Sequence, residues 1–334
     1  MRVLVTGASG FLGSTLIDQL SMLGFTVRAL LRKSSSLANL DMTKIERVEG
    51  DINSKDSLRS AVKGVDYVFH LAGVIKAKNE AEFYKHNAEG TRLLAEAVAD
   101  VSPNLSRFLY VSSLAAGGPS SSNKLRTEND PDKPVSAYGK SKLQGEMELL
   151  KHKQSYPITI VRPPMVYGPR DKATFLFVQT VARGLMPIIS ASSNEEGHKY
   201  YSFIHAKDLC DGIVKAALSG DERITSGEVF YVSGDETITY EGFLSLIAEK
   251  LNKSPLKIRV PTFAVSSIAC FLTAFGRLSG RVFHLNLDKL NELRPDYWTC
   301  SNEKAKRILG FQPQFDLMSG MANTIDWYKH HGWI

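Results

Sequence analysis

The segment SAYGKSK, residues 136–142, sets the phenol of Tyr138 and the ammonium of Lys142 four positions apart. On a helix, residues i and i+4 share one face about one turn apart. A neighbouring ammonium favours the phenolate and lowers the phenol's pKa, so the two residues form a candidate proton-transfer pair. The demand is large: a free phenol is only ~0.1% ionised at neutral pH, and useful base strength needs roughly 3–4 kcal/mol of preferential stabilisation of the phenolate. The same spacing also arises by chance on exposed helices, and the rest of the chain has to decide.

A second stretch with chemical potential is TGASGFLG, residues 6–13, which follows the apolar run RVLVT and opens an apolar helix. Gly7 permits a tight turn, Gly10 lets backbone approach a pyrophosphate, and Gly13 lets the helix pack closely on the sheet. The helix N-terminus adds free N–H groups and a positive dipole. In this strand–turn–helix context the pattern marks a dinucleotide-binding turn, with Ser9, Phe11 and Leu12 among its contacts. The next strand ends Leu31-Arg32-Lys33-Ser34, where an acid would bond the ribose 2′-hydroxyl. Arg32 and Lys33 instead offer positive charge to a 2′-phosphate, which favours NADP over NAD, a solvated basic loop being the plainer reading. Asp51, with Ile52 beside it, is placed to bond the adenine edge.

These residues need a scaffold, and the first half of the chain supplies one. RVLVT, TVRALLR, IERVEGD, DYVFHLA, RFLYVSS and ITIVR read as six strands. Helical patterns separate most of them: an apolar helix to about Leu23, SKDSLRSAVKG, AEFYKHNAEGTRLLAEAVAD and SAYGKSKLQGEMELLKH. Short apolar runs alternating with helices predict βαβ units and an α/β, doubly wound parallel sheet of the Rossmann kind. After Val166 the rhythm breaks and helical segments dominate, with a return strand at VFYVSG, residues 229–234. The expected division is a dinucleotide-binding domain over 1–170 and 201–235, and a smaller, discontinuous, mostly helical substrate domain over 171–200 and 236–334. Residues 117–134 read as a polar loop between the fifth strand and the Tyr138 helix.

Composition narrows the function classes. The chain has 334 residues, 43% hydrophobic and 23% charged, with a formal charge of +6, room for about two structural units. Its lysines and arginines are scattered without a dense basic run, so a nucleic-acid partner is not expected; a multiply anionic cofactor or an acidic membrane surface suits the excess. Cys210, Cys270 and Cys300 are far apart and odd in number, which predicts no metal cluster and a reducing, cytoplasmic compartment. The opening MRVLVTGASG runs directly into a strand, so no signal peptide is expected. The apolar stretch at 260–275 is short for a bilayer and carries Ser and Thr, so it reads as a buried or pocket-lining helix, with shallow membrane contact left open.

Taken in order, TGASGFLG, Asp51, HLAG (70–73), YVSS (110–113), YGKSK, RPPMVYGP (162–169), FIHAKDL (203–209) and NEKAKRILGF (302–311) resemble the extended short-chain dehydrogenase/reductase family over nearly the whole chain. The resemblance implies catalytic roles for Ser113, Tyr138 and Lys142, with Ser112 the fallback for Ser113. It places Leu71, Ala72, Gly73, Asn87, Pro163, Pro164 and Val166 around the cofactor. Tyr138 would exchange a proton with the substrate oxygen while hydride moves to or from the nicotinamide. Lys142 would lower the phenol's pKa and hold the nicotinamide ribose, and Ser113 would donate to the oxygen where charge develops. Homodimers built from the Asn87 and Tyr138 helices are common among such relatives, and a homodimer is expected.

Departures from family patterns separate the chemistries. Dehydratases commonly carry an Asp-Glu pair after the catalytic hydroxyl residue; Leu114-Ala115-Ala116 stands there, which speaks against elimination. Sugar-nucleotide members often clamp a diphosphate with an arginine where this chain has Tyr201, leaving Lys199 or Arg294 as substitutes. VRALLR, SSLAAGGP and FIHAKDLC look more like dihydroflavonol reductase and 3β-hydroxysteroid dehydrogenase relatives, which act on bulky apolar alcohols and ketones. Phe263, Ile268, Phe271 and Phe275 would line such a pocket or fill the small domain's core, the plainer reading. His205 reads as a structural histidine, Tyr167 and Asp171 as candidates to face substrate, and Trp298, Trp327 and Trp333 as packing residues. The leading expectation is an NAD(P)H-dependent oxidoreductase interconverting a secondary alcohol and a ketone on a bulky hydrophobic small molecule. A nucleotide-sugar epimerase or reductase is the alternative, and a cofactor-binding regulatory protein without turnover the third.

Overall fold

The computed structural model describes residues 1–121, 124–190, 198–279, 283 and 285–334. Two positions of the expected 117–134 loop, Ser122 and Asn123, lie outside the described residues, as do 191–197 of the expected substrate domain. The strands are β1 (Arg2–Thr6), β2 (Thr26–Leu31), β3 (Ile45–Glu49), β4 (Tyr67–His70), β5 (Arg107–Val111), β6 (Ile158–Arg162), β7 (Met165–Tyr167), β8 (Leu185–Ser190), β9 (Tyr200–His205), β10 (Glu228–Tyr231), β11 (Thr237–Thr239), β12 (Leu256–Pro261) and β13 (Tyr297–Trp298). Seven of them make one parallel sheet in the order β10-β6-β5-β4-β1-β2-β3. Its inner strands are buried on both faces: every residue of ITIVR and four of the five in RVLVT are inaccessible, whereas the edge strand IERVE has none buried. Helices covering both faces explain the near-continuous apolar runs.

The strand order reverses between β1 and β4, and crevices at such switch points, beyond the strands' carboxyl ends, are where open α/β sheets bind ligands. Gly7 leaves β1 there and Leu71 leaves β4. Two apolar clusters sandwich the sheet, one under the helices Phe11–Met22 and Ala206–Leu218, the other under Lys55–Val62 and Gly90–Val101.

The single helix expected over 81–100 is interrupted: Glu80–Phe83 and Gly90–Val101 are α-helical, but Tyr84–Glu89 between them is a π-turn. Beyond Val166 the chain contains strands that its sequence pattern does not disclose. β9 pairs with β7, β11 and β13, and β12 with β8, in two small sheets beside the main one. β7, β11 and β13 are only two or three residues long, too short for the alternation that announces a strand. A third cluster joins these sheets to the helices Tyr240–Lys250 and Leu317–His330 and contains Trp298; Trp327 and Trp333 pack against it.

Candidate active site

The glycine turn is built as a cradle. Gly7 has φ +71°, and a Cβ there would stand 2.8 Å from the backbone of Leu71 and Ala72. A Cβ on Gly13 would stand 2.1 Å from the Gly7 carbonyl oxygen, so this glycine lets the helix close onto the turn. Gly10 caps the helix Phe11–Met22 with no side-chain bond and no acid in the first turn, leaving its N–H groups free to meet an anion. A Cβ on Gly10 would meet only the Gly7 oxygen, at 3.2 Å. Leu12 packs on the core below, as does Leu71.

A cavity of about 130 Å³ opens from this turn across the ends of β2 and β3. Gly7, Ser9, Arg32, Asp51, Ile52, Ala72 and Gly73 line it, all expected from sequence. Leu30, Ser35, Gly50, Val74 and His86 also line it and were not expected. His86 comes from the π-turn; its Nδ1 lies 3.1 Å from Asn53 Nδ2, a pairing across 33 residues that no local signal discloses. Asp51 accepts hydrogen bonds from the Asn53 backbone and side chain at 2.9 Å. Burial opposes its ionisation, but these bonds, with Arg32 and His86 nearby, hold its carboxyl below the usual range. Lys33 does not share the cavity; its ammonium lies 3.5 Å from Glu49 on an exposed edge, so of the two expected cations only Arg32 faces the site.

Gly73 leads from this cavity to the reactive side chains. A Cβ there would sit 2.9 Å from Asn87 Oδ1 and 3.9 Å from Lys142 Nζ. Asn87 is fully buried and does not reach the cavity. Its Oδ1 accepts from the Val74 N–H at 2.8 Å while its Nδ2 donates to the Val74 carbonyl and to Ser141 Oγ. It therefore locks the segment 73–75 beyond β4 to the Tyr138 helix. Pro163 holds the far side through a 2.8 Å bond from the Leu114 N–H, and Val166 packs on the core from β7.

Ser113, Tyr138 and Lys142 converge. Ser113 caps the short helix Leu114–Gly117, accepting from the Ala115 N–H at 3.1 Å, and its hydroxyl lies near enough to the Tyr138 phenol to favour the phenolate. Ser112 points the other way, donating to Glu146, so only Ser113 meets the phenol. Glu146 is itself held by Arg162, which also grips Asp132 at 2.6 and 2.8 Å. This buried network fixes β5, β6 and the Tyr138 helix around the serine pair.

Lys142, 4% exposed, donates to the Val111 carbonyl at 2.9 Å and stands 4.2 Å over the Tyr110 ring. Burial pushes its ammonium down to about 7, against the opposing attraction of Glu146. His70, buried behind Tyr110 and bonded to Thr6 and Thr91, is kept neutral by burial and by Lys142. The phenol departs from expectation: burial pushes Tyr138 up to about 12, with the Ser113 hydroxyl only partly offsetting it. An ammonium four residues on does not lower the phenol when its own charge is spent on a carbonyl and an aromatic face.

Other sequence expectations resolve plainly. Lys199 is buried and spends its ammonium on Asp296 and on the carbonyls of Arg294 and Pro295. Tyr201 is packed against Phe203 and Tyr240, and Arg294 sits on the surface. Lys199 and Tyr201 are therefore not available to clamp a diphosphate. Tyr167 is 2% exposed and bonds the Asp316 carbonyl, and Asp171 caps the helix Lys172–Ala182 through Ala173 and Thr174. Both are structural: Tyr167 is buried in β7 of a small sheet, and the Asp171 carbonyl accepts from the Tyr328 hydroxyl of Leu317–His330 at 2.6 Å. His205 is buried against Phe315 and Tyr167, and pushed down to about 4 by that burial. Ile268, Phe271 and Phe275 neither fill a core nor line a cavity; they are 48%, 67% and 44% exposed, because the helix Thr262–Ser279 rests on its Val265–Ala269 side. The Phe263 side chain lies outside the description.

A parallel sheet whose switch point carries a glycine cradle, with a hydroxyl, a phenol and a buried amine beside it, defines a dinucleotide-dependent enzyme. Residues 3–232 match the NAD dependent epimerase/dehydratase family, and the chain belongs to it as an NAD(P)-dependent enzyme of the oxidoreductase and epimerase type. It is 30% identical to a ceramide reductase of Caulobacter vibrioides over 99% of this chain and 96% of that one. It is 26% identical to the human (Homo sapiens) sterol-4-alpha-carboxylate 3-dehydrogenase, decarboxylating, over 98% and 90%. The crystal structure of gox2253 superposes with a TM-score of 0.81 at 26% identity, covering 99% of this chain and 98% of that one.

Proposed function

We propose that the chain is an NADP(H)-dependent oxidoreductase that interconverts a secondary alcohol and a ketone on a bulky hydrophobic substrate. The observation that carries this is the convergence of the Ser113 hydroxyl and the Tyr138 phenol beside buried Lys142, which Gly73 joins to the cavity of the glycine turn. Gly7, Ser9, Gly10 and the first turn from Phe11 would hold the pyrophosphate, Asp51 and Ile52 the adenine end, and Arg32 with Ser35 the 2′-phosphate. Lys142 and the 72–74 segment lie where a nicotinamide ribose would sit. When bound, the cofactor supplies or accepts the hydride. Tyr138 gives its proton to the substrate oxygen in reduction and takes it back in oxidation, while Ser113 donates to the same oxygen as charge develops. With a pKa near 12 the phenol carries its proton at neutral pH, the state reduction requires.

The named relatives act on a ceramide and a sterol, which supports a lipid-like substrate; the spent ammonium of Lys199 weighs against the nucleotide-sugar alternative. The reading includes the two-domain division above, a cytoplasmic location in keeping with three free cysteines, and a homodimer through the Tyr138 helix, where Met147 is 54% exposed. Light scattering checks the dimer. The function is tested with a panel of hydrophobic ketones and alcohols, nicotinamide absorbance being followed with NADPH and NADH. The expected result is ketone reduction favouring NADPH, lowered at least ~10³-fold in Tyr138→Phe with NADPH affinity nearly unchanged. Undiminished turnover in that variant, or thermal stabilisation by UDP-sugars and not by ketones, overturns the reading.

A further inference from the structure

A second cavity, of about 720 Å³, opens at the start of the Tyr138 helix, where Ala137 lines it. One wall is the segment 77–83, whose Phe83 ring lies 6.0 Å from the Tyr138 ring. The other wall is Leu272, Thr273 and Gly276 of the helix Thr262–Ser279, Leu287 at the start of Leu287–Leu293, and Phe283 between the two helices. Asn79, Asn286, Asp288 and Asn291 also line it, so the volume suits a drug-sized or larger amphiphilic body.

The lips of this cavity are apolar on their outer sides. Ile268, Phe271 and Phe275 follow one another at i, i+3 and i+7, so they share one side of the helix, roughly 100° around from Val265 and Ala269, which are buried with Leu290. The Phe271 and Phe275 rings stack at 6.1 Å. Leu287 beside them is 43% exposed, and Ile75, just before the opposite wall, is 70% exposed. Single exposed apolar residues are ordinary; a set gathered on both lips of one cavity is not. Exposed Lys76 and Lys78 flank Ile75 and Ala77 in sequence, and Lys78 lines the mouth, in a chain of net charge +6. Of the acids there, Asp288 is engaged by the Ala137 and Tyr138 N–H groups, and Glu80 lies on the lysine-bearing wall. Among the described residues no helix is long and apolar enough to cross a membrane, so contact at this face would be interfacial.

We propose that this mouth rests on an anionic phospholipid bilayer, with Ile75, Ile268, Phe271 and Phe275 entering the acyl boundary and Lys78 meeting lipid phosphates, so that an amphiphilic substrate passes from the bilayer into the cavity. The substrate part rests on the proposed function; the membrane part does not. Apolar side chains beside cations match an interface where acyl chains and phosphates alternate, and a second copy of the chain seated here would seal the cavity.

The test is flotation of the full chain with phosphatidylcholine vesicles, with and without phosphatidylglycerol. The chain should float with the anionic vesicles, and the doubly substituted Phe271→Asp, Phe275→Asp variant should lose at least roughly tenfold in partitioning at unchanged thermal stability. Lys78→Glu should weaken binding to the anionic vesicles alone. Failure to float, or equal flotation of wild type and the Asp variant, overturns the proposal. So does a dimer in light scattering that the same two substitutions dissociate, which would assign the face to a second copy. Turnover separates the two readings. A water-soluble short ketone reduced equally by wild type and the Asp variant, with only the vesicle-borne ketone losing rate, supports lateral entry. Vesicle binding without reduction of any ketone keeps the membrane contact and removes the oxidoreductase.

Discussion

Lys142 shows how a reactive group burdens the fold that holds it. Its ammonium is nearly inaccessible and is pushed down to about 7, so between that value and its ordinary one the unfolded chain binds a proton that the native chain does not. Stability therefore rises with pH across that window, by roughly 1.4 kcal/mol per pH unit, and the burden is fully present below about 7. Lys142→Met removes the charge at nearly constant length. The variant should be more stable than wild type at neutral pH, by about 2–4 kcal/mol after loss of the Val111 bond, while losing ketone reduction. The difference should shrink as pH rises towards 9.5, which denaturant titrations of both proteins at several pH values would measure. A gap that does not change with pH would mean Lys142 is not the group being titrated. The Tyr138–Lys142 pair was legible because four residues on one helix carry it. Ser113 was legible too, through the resemblance, but what dominates both pKa values was not: burial, with Glu146 opposing it at Lys142, is made by the fold.

The glycine turn was legible for the same local reason, as were the sheet strands around it, whose apolar runs are continuous because both faces are covered. What the pattern leaves undecided is which glycine serves the ligand and which serves packing, and the geometry separates them. Gly13→Ala drives a methyl into the Gly7 carbonyl, which is backbone and cannot swing aside. Gly10→Ala meets nothing closer than 3.2 Å, at a φ of −76° that alanine adopts freely. Thermal melts should therefore show a loss of about 1–3 kcal/mol for Gly13→Ala and under ~1 kcal/mol for Gly10→Ala. Fluorescence titration with NADPH should show the reverse ordering among folded molecules, the Gly10 methyl standing where phosphate would approach. Equal melting losses would return Gly10 to a packing role. The return strand at 229–234 was read and is β10, but the π-turn at Tyr84–Glu89 and the strands of the two small sheets went unread because register and pairing partner, not composition, create them.

At the scale of the molecule, the helix that carries Tyr138 is capped by the far end of the chain. The Asp288 carboxylate accepts from the N–H groups of Ala137 at 2.6 Å and Tyr138 at 3.3 Å, and Glu292 takes the Ser136 hydroxyl at 2.7 Å. Ser136 in turn caps the Gly139 N–H, so the first turn of the reactive helix is closed by two acids some 150 residues away in sequence. Both acids lie on the helix Leu287–Leu293, which also walls the larger cavity. An acid at a helix N-terminus answers its unpaired donors and its dipole, worth about 0.5–2 kcal/mol. No sequence pattern foretells this contact, since a capping acid is ordinarily found within one turn of the helix it caps. The consequence is a mechanical link: whatever fills the cavity presses on the element that positions the phenol. Asp288→Ala should lower stability by about 1–2 kcal/mol and lower kcat for ketone reduction more than it raises KM, because it loosens the phenol and leaves the apolar walls intact. Asp288→Asn keeps an acceptor at the same place and should recover most of both. A variant with reduced stability and unaltered kcat would confine Asp288 to holding the fold, and the link between the cavity wall and the phenol would then have to run through Phe83.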